Sequence, residues 1–260
     1  MDDLTRILLV GVIVFLTHAL EGITGFGCTV LALPFVAMLL GIKTAIPVLA
    51  VLAWLLAGYI VLVSRKKIVW NEFGFIVLHV ALGLPIGILV FQYLSPVYLK
   101  MLLGVFMLGV GIHGLRKTLN RNTNDATVSL VRKSIVMRGV LFLGGIVHGA
   151  FATGGPFVVI YASRALPEKS VFRVSLCLLW ATMNTVLMIQ YTLAGNVWNK
   201  EIGASLLAAL PFLVVGTLTG DYLHHVVSEH FFRIVVYGML LASGIILLFD
   251  VFGSRLFSTT

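Results

Sequence analysis

Six apolar stretches of membrane-crossing length constrain the fold of this chain more than any other feature of its sequence. A helix needs roughly 20 apolar residues to cross the ~30 Å hydrocarbon core of a bilayer. Stretches of about that length occupy residues 44–63, 73–92, 97–115, 172–194, 202–220 and 231–249. The sequence therefore predicts an all-α polytopic membrane protein.

The composition excludes the common classes of soluble protein. Hydrophobic residues make up 60% of the 260 residues and charged residues only 11%, whereas a soluble domain carries about 25% charged residues. A soluble fold of this size has too little interior to bury so much apolar surface. We therefore expect neither a soluble binding module nor a cytosolic enzyme.

The net charge of +8 has its simplest explanation in membrane topology. The basic residues lie between the apolar stretches, as the positive-inside rule predicts, so we expect a lipid bilayer and no nucleic acid as partner. Cys28 and Cys177 both lie inside apolar stretches, which predicts neither a disulfide nor a metal site. Only Arg6 precedes the first apolar run, so we predict no cleaved signal peptide.

Two further apolar segments are interrupted by small and polar residues. The segment from Leu4 to Gly41 is broken at residues 21–27, and the segment from Ile135 to Leu166 is broken at residues 152–156. The arms on either side of each break are predicted to have about 10–17 residues, nearer half a span than a full one. Glycine and proline at membrane depth free backbone groups, which must then face protein or a wet cavity.

The two halves of the chain match each other at nearly constant spacing. Lys43 and Trp54 match Lys169 and Trp180 at an offset of 126 residues, and His18 matches His148 at 130. At an offset of 133, Gly83, Gly87, Ser95, Lys100 and Gly111 match Gly216, Gly220, Ser228, Arg233 and Gly244. We interpret residues 1–118 and 134–260 as two repeats that form one transport domain, joined by a basic cytoplasmic linker at 119–133.

The orientation of the repeats depends on the path of the broken segments. If each broken segment is a re-entrant hairpin, each repeat adds three full spans and the repeats are inverted. If each broken segment crosses the membrane once, the repeats are parallel. A further alternative is a fold with eight spans in all, in which a shorter first arm crosses the membrane fully. The count of basic residues separates these arrangements weakly, and the half-span arms favour inverted repeats with two hairpins.

The two breaks are typical of an anion-binding site. A helix N-terminus presents unpaired N–H groups and about half a positive charge, so two such ends that face each other favour a bound anion. The predicted binding residues at the breaks are Thr24, Gly25, Phe26, Gly27, Cys28, Thr153, Gly154, Gly155 and Pro156. Trp54, Trp180 and Asn184 lie mid-span and are predicted to line the substrate path. Close helix packing is the alternative reason for the glycines.

Three titratable side chains lie near the breaks. Glu21 adjoins the first break, and burial of its charge is costly unless it is neutral, paired or in contact with water. His18 and His148 precede the two breaks and are able to donate to an anion. We predict proton coupling or gating for these three residues, with structural hydrogen bonding as the alternative.

The sequence resembles the sulfite exporter TauE/SafE family, also called the toluenesulfonate uptake permease family. The resemblance covers nearly the whole chain and lies in residues 22–27 with Leu33-Pro34, Gly154-Gly155-Pro156, the loop Arg65-Lys66-Lys67 and residues 83–87. It implies a duplicated transporter in the cytoplasmic membrane that carries sulfite, a sulfonate or a related organosulfur anion.

These observations predict a secondary transporter that works by alternating access. The chain has no phosphate-binding loop of the G-x-x-x-x-G-K-[ST] type, so ATP is not expected to drive it directly. We expect no cofactor and no metal. An anion channel on the same scaffold is the main alternative, and a membrane-embedded haem or redox protein, which would use histidines on facing helices, is a weaker one.

Overall fold

The computed structural model describes residues 3–119, 134–166, 168–195 and 197–224, together with 226, 234, 237–238, 240–242, 244–249 and 251–252. Over these residues the chain is all-α. Its helices are α1 (Asp3–Thr24), α2 (Cys28–Leu40), α3 (Ile42–Ser64), α4 (Trp70–Tyr93), α5 (Pro96–Leu119), α6 (Ile135–Phe151), α7 (Gly155–Ala165), α8 (Lys169–Ala194) and α9 (Lys200–Leu223). The prediction of a polytopic all-α membrane protein is confirmed.

Among the described residues, six helices are long and apolar enough to cross a membrane. They are Thr5–Thr24, Ile42–Lys67, Trp70–Tyr93, Pro96–Arg116, Lys169–Ala194 and Lys200–Leu223. Five of them contain predicted spans, and the sixth is the first arm of the first broken segment. The predicted span at 231–249 falls largely, and the predicted linker at 119–133 almost entirely, outside the described residues.

The first break is shorter than the sequence predicts. Helix α1 has 22 residues and continues through Glu21 and Gly22 to Thr24, so the predicted limit of about 17 residues for this arm is wrong. Gly22 stays helical because it packs against α9, where a Cβ atom would lie 2.9 Å from the Cα atom of Gly220. The chain leaves the helix only at residues 25–27, where Gly25 and Gly27 have φ values of 82° and 110°.

The second break spans three residues. Helix α6 ends at Phe151, Ala152 takes a left-handed conformation with φ of 52°, and α7 begins at Gly155. Pro156 therefore lies in the first turn of α7, where proline removes no helical hydrogen bond. The arms α6 and α7 have 17 and 11 residues, close to the predicted length.

The matched glycines bring helices of the two halves together. Helix α4 packs along α6, and α1 packs along α9. A Cβ atom on Gly87 would lie 2.0 Å from the carbonyl oxygen of Ile146, and one on Gly220 would lie 2.3 Å from that of Ala19. Only glycine allows these backbones to approach so closely, as small residues do in membrane helix pairs.

The matched lysines also make matched contacts. The Lys43 ammonium donates to the carbonyl oxygen of Phe91, and the Lys169 ammonium donates to that of His224. Phe91 and His224 are separated by the same 133 residues as the matched glycines. Each lysine therefore satisfies a carbonyl group at the C-terminal end of a helix, α4 or α9, where cations are favoured.

Helices α3 and α8 run antiparallel at the centre of the molecule. Near the end of α3, the Tyr59 hydroxyl donates to Asp221 across 3.4 Å, and Asp221 in turn pairs with Arg173 near the start of α8. Near the start of α3, Lys43 contacts Phe91, whose ring lies 5.6 Å from that of Tyr191 near the end of α8. These two helices carry the matched tryptophans.

Candidate functional site

A polar cavity lies where the two breaks meet. The first break contributes Glu21, Gly27, Thr29 and Val30 to its wall, and the second contributes His148, Ala152, Thr153, Gly154 and Gly155. Ala53 of α3 and both Trp180 and Asn184 of α8 complete it. Its volume of about 20 Å³ is room for roughly one water molecule. The structure therefore brings together eight of the residues singled out from the sequence.

Glu21 caps the helix that follows its own break. Its side chain is 2% exposed, and Oε2 accepts a 2.7 Å hydrogen bond from the Cys28 N–H at the start of α2. The N-cap residue Gly27 has no side chain to do this, so the carboxylate replaces it. One of the two helix ends expected to hold an anion is thus already partly satisfied by a carboxylate of the protein.

The second oxygen of Glu21 has no such partner. Among the described residues, nothing hydrogen-bonds to the buried Oε1 atom of Glu21. A buried carboxylate oxygen without a donor is costly, so this atom requires a proton, a water molecule or a ligand in the adjoining cavity.

The N-terminus of α7 borders the cavity through Gly154 and Gly155. The amide groups of its first turn have no carbonyl acceptor within the helix, and Pro156 carries no N–H. The Gly154 N–H donates to Nδ1 of His148 across 3.3 Å. Gly155 begins the helix, and a Cβ atom there would make only an ordinary 3.6 Å contact with Phe26.

His148 presents a hydrogen-bond donor to the cavity. Because Nδ1 accepts from Gly154, the proton of the neutral ring lies on Nε2. His148 is 1% exposed, and in the described part of the chain its Nε2 atom has no partner. The ring is held in place by Trp180, which stacks on it at a centroid distance of 5.4 Å and an angle of 18°.

Asn184 is the third unsatisfied polar side chain in the cavity wall. It is 1% exposed, its amide lies beside the His148 ring, and its Oδ1 atom has no hydrogen-bond partner among the residues described. An amide supplies both donors and an acceptor. The cavity is therefore bordered by one ring N–H and two oxygen atoms that the described chain leaves unsatisfied.

Trp180 links the two breaks but has no free donor. Its Nε1 atom donates to the carbonyl oxygen of Gly25 across 3.0 Å. The first break therefore already uses this indole N–H. What Trp180 offers the cavity is its ring.

Several predicted binding residues lie outside the cavity wall. They are Thr24, Gly25, Phe26, Cys28, Pro156, Trp54 and the proposed coupling residue His18. The Thr24 hydroxyl donates to the carbonyl oxygen of Phe26 at 2.9 Å and also contacts that of Leu20, so it stabilises the break itself. The Trp54 N–H donates to the Thr185 hydroxyl at 2.9 Å.

Gly25 is required by packing as well as by its backbone conformation. A Cβ atom at this position would lie 2.6 Å from the carbonyl oxygen of Arg173, in a residue whose φ is 82°. The break therefore rests directly on the backbone of α8.

His18 and His148 are not equivalent. Nδ1 of His18 lies 2.8 Å from the carbonyl oxygen of Val14, so that nitrogen carries the proton and donates. Nε2 of His18 is then an acceptor, the opposite of Nε2 in His148. The sequence offset that matches the two histidines gives no indication of this difference.

A second, apolar cavity of about 330 Å³ adjoins the first one. Phe26 and Pro156 line it together with residues of α5, and Val30 borders both cavities. Residues next to both breaks therefore border this second cavity as well as the first.

Sequence reasoning missed one buried ion pair near the first break. Arg173 is 5% exposed, and its guanidinium lies 2.7 Å from the Asp221 carboxylate. The sequence does show an arginine inside one apolar span and an acidic residue at the end of the next span. The residues around each of them give no indication that the two side chains meet.

Comparison with known proteins places the whole arrangement in a family. Residues 10–247 match the family model described as sulfite exporter TauE/SafE. The chain belongs to the sulfite exporter TauE/SafE family. It is also 24% identical over 186 residues to a Comamonas testosteroni protein described as "Probable inner membrane transporter protein TsaS", an alignment that covers 69% of this chain and 72% of that protein. No solved structure matches it.

This TauE/SafE protein is accordingly a multi-pass protein of the inner membrane, as its six membrane-length helices and its relative both indicate. Its family and its relative are transporters and not enzymes. The resemblance noted in the sequence is confirmed.

Proposed function

We propose that this TauE/SafE protein is a secondary transporter of a small sulfur-containing anion, such as sulfite or a sulfonate, and that the cavity between the breaks is its binding site. The observation that carries the proposal is the convergence of Glu21, His148 and Asn184 on one small cavity beside the N-terminus of α7. Helix ends and neutral N–H groups are the donors that proteins use for oxyanions.

The size and position of this cavity support alternating access. Room for one water molecule is too little for a sulfonate group, so the cavity must widen before an anion enters. Its wall comes from both breaks, and Trp180 connects them through Gly25 and His148. Movement of one half against the other opens such a site to either face of the membrane in turn, as in other repeat transporters.

We further propose that the two repeats are inverted. Helices α3 and α8, which are equivalent by sequence, pack antiparallel. Helix α7 folds back along α6, since a Cβ atom on Gly144 of α6 would lie 3.3 Å from side-chain atoms of Phe157 and Val158 in α7. Helix α1 runs parallel to α9, and α2 returns towards Lys43. The two hairpins then enter from opposite faces, one from the face of Lys43 and the other from the face of Lys169.

Cysteine labelling tests this topology. The chain has two native cysteines, Cys28 and Cys177, and both are buried, so a variant with both replaced by alanine gives a clean background. Inverted repeats predict that a membrane-impermeant thiol reagent added to cells labels S95C and G195C from outside. K66C should be labelled only after the membrane is opened. Labelling of S95C and G195C from opposite faces would contradict the arrangement.

Glu21 is the proposed coupling residue. When it is ionised, its charge opposes an anion in the same cavity. A proton on Oε1 removes that charge and converts an unsatisfied acceptor into a donor. Proton binding and anion binding then favour each other, and this reciprocity is the basis of symport.

Flux into proteoliposomes tests the transport proposal. Uptake of radiolabelled sulfite and methanesulfonate should saturate with concentration and should be lost in N184L. The control is Q190L, which removes an amide from the same helix outside the cavity wall. Unitary currents in a planar bilayer would show that the protein is an anion channel and not a carrier. Absence of any sulfur-anion flux would reject both functions.

A further inference from the structure

The charges around the polar cavity limit which anions it holds. Among the described residues that line it, none is a lysine or an arginine, and Glu21 is acidic. His148 acts as a neutral donor, because a second proton on Nδ1 would break its hydrogen bond from Gly154. The described wall therefore offers an anion partial charges and no full positive charge: the N-terminus of α7, the Nε2–H group of His148, the amide of Asn184, the hydroxyl groups of Thr29 and Thr153 and, when it is protonated, Glu21.

Partial charges of this kind compensate a single negative charge better than a double one. One helix N-terminus is equivalent to roughly half a positive charge, and the corresponding end of α2 already faces the Glu21 carboxylate. The Born cost of removing an ion from water rises with the square of its charge, so it is about four times larger for a dianion than for a monoanion of equal radius. No cationic side chain among the described lining residues is present to offset the second charge.

We infer that this cavity selects singly charged tetrahedral sulfur anions over doubly charged ones of the same size. The inference rests on the proposed function and adds the charge of the substrate: sulfite would be bound as the hydrogensulfite monoanion and a simple sulfonate as it stands. Once the cavity has widened, the unpaired Nε2 of His148 and the amide of Asn184 are the contacts that one SO₃⁻ group would make.

Three compounds with nearly the same shape isolate the effect of charge. Dimethyl sulfone is neutral, methanesulfonate carries one negative charge and sulfate carries two, and all three have a tetrahedral sulfur atom. Binding to the purified protein in detergent at constant ionic strength, measured by calorimetry, should be tightest for methanesulfonate. Sulfate should bind at least roughly tenfold more weakly, since the uncompensated charge lies in a medium of low dielectric constant.

The outcomes separate this inference from the proposed function. Sulfate that binds as tightly as methanesulfonate, or more tightly, overturns the charge selection and leaves a sulfur-anion site in place. Dimethyl sulfone that binds as tightly as methanesulfonate also overturns it, because charge would then not be recognised. Binding of none of the three, together with absent sulfite uptake, rejects the proposed function itself. Loss of methanesulfonate binding in N184L but not in Q190L assigns the effect to this cavity, and equal binding in both overturns that assignment.

Discussion

The indole N–H of Trp180 donates to the carbonyl oxygen of Gly25 across 3.0 Å, a bond between residues that are 155 positions apart. The same indole stacks on His148 of the second break. One side chain of α8 thus holds both breaks in the positions that form the polar cavity. Its sequence equivalent, Trp54, bonds to Thr185 and takes no part in the cavity wall.

Replacement of Trp180 should therefore impair transport more than replacement of Trp54. Phenylalanine keeps an aromatic ring against His148 but removes the donor to Gly25, and loss of one buried hydrogen bond costs about 1–2 kcal/mol. We expect W180F to lower kcat/KM for anion uptake roughly tenfold. W54F, which also loses one indole donor, should stay near wild type in the same liposome assay. Equal defects in the two variants would contradict the role of Trp180 as the link.

Glu21→Gln separates proton coupling from anion exchange. The glutamine oxygen still accepts the hydrogen bond from Cys28, so the start of α2 is preserved, but the side chain no longer binds and releases a proton. We expect accumulation driven by a pH gradient to be lost, while exchange of labelled for unlabelled anion persists. Both are measured in the same proteoliposomes.

The control for this variant is the other buried carboxylate in the described spans. Glu72 accepts a hydrogen bond from the Tyr161 hydroxyl at 2.8 Å and lies outside the cavity wall. E72Q should retain gradient-driven accumulation. If E21Q still accumulates anion against its gradient, Glu21 is not the coupling residue.

The two histidines should differ in importance because their tautomers differ. In H148N, the asparagine oxygen still accepts from the Gly154 N–H, but the Nε2 donor is removed from the cavity. Loss of a donor to a charged ligand costs about 1.5–3 kcal/mol, so we expect the Kd for methanesulfonate to rise by roughly one to two orders of magnitude. H18N should change it little, as measured by calorimetry. Wild-type affinity in H148N would remove His148 from the site.

Two glycines with similar φ values should respond differently to replacement by alanine. Gly25 and Gly41 have φ values of 82° and 79°, but no atom lies within 4 Å of a Cβ added at Gly41. Gly41 combines φ of 79° with ψ of 147°, a conformation that other residues rarely adopt, so G41A should lose about 1–3 kcal/mol of stability from its backbone conformation alone. G25A adds a clash with the carbonyl oxygen of Arg173, which costs a further ~1–3 kcal/mol.

Unfolding in detergent measures this difference. The free energy of unfolding should fall more for G25A than for G41A under the same denaturant titration. An equal decrease in the free energy of unfolding for the two variants would mean that the first break shifts away from α8 at little cost, so that its contact with Arg173 is not tightly packed.

The membrane class, most of the spans and the positions of both breaks were predictable from local sequence. Each depends on a short window: twenty apolar residues make a span, and Gly25–Gly27 or Gly154–Gly155 interrupt one. The match in sequence between Gly87 of the first half and Gly220 of the second was also visible. Each of these residues lies at a close helix contact that only glycine allows. The extension of α1 through Glu21 and Gly22 was not, since it depends on packing against α9.

The sequence by itself determined that this chain lies in a bilayer, that its halves match and that polar groups interrupt two of its segments. The tertiary structure decided what those polar groups do. It directed the Glu21 carboxylate to the amide of Cys28, committed the N–H of Trp180 to Gly25 and gave His18 and His148 opposite tautomers. Hydropathy and glycine content act within one helix, whereas a hydrogen-bond partner is fixed only when particular helices meet, and that depends on the packing of the whole chain.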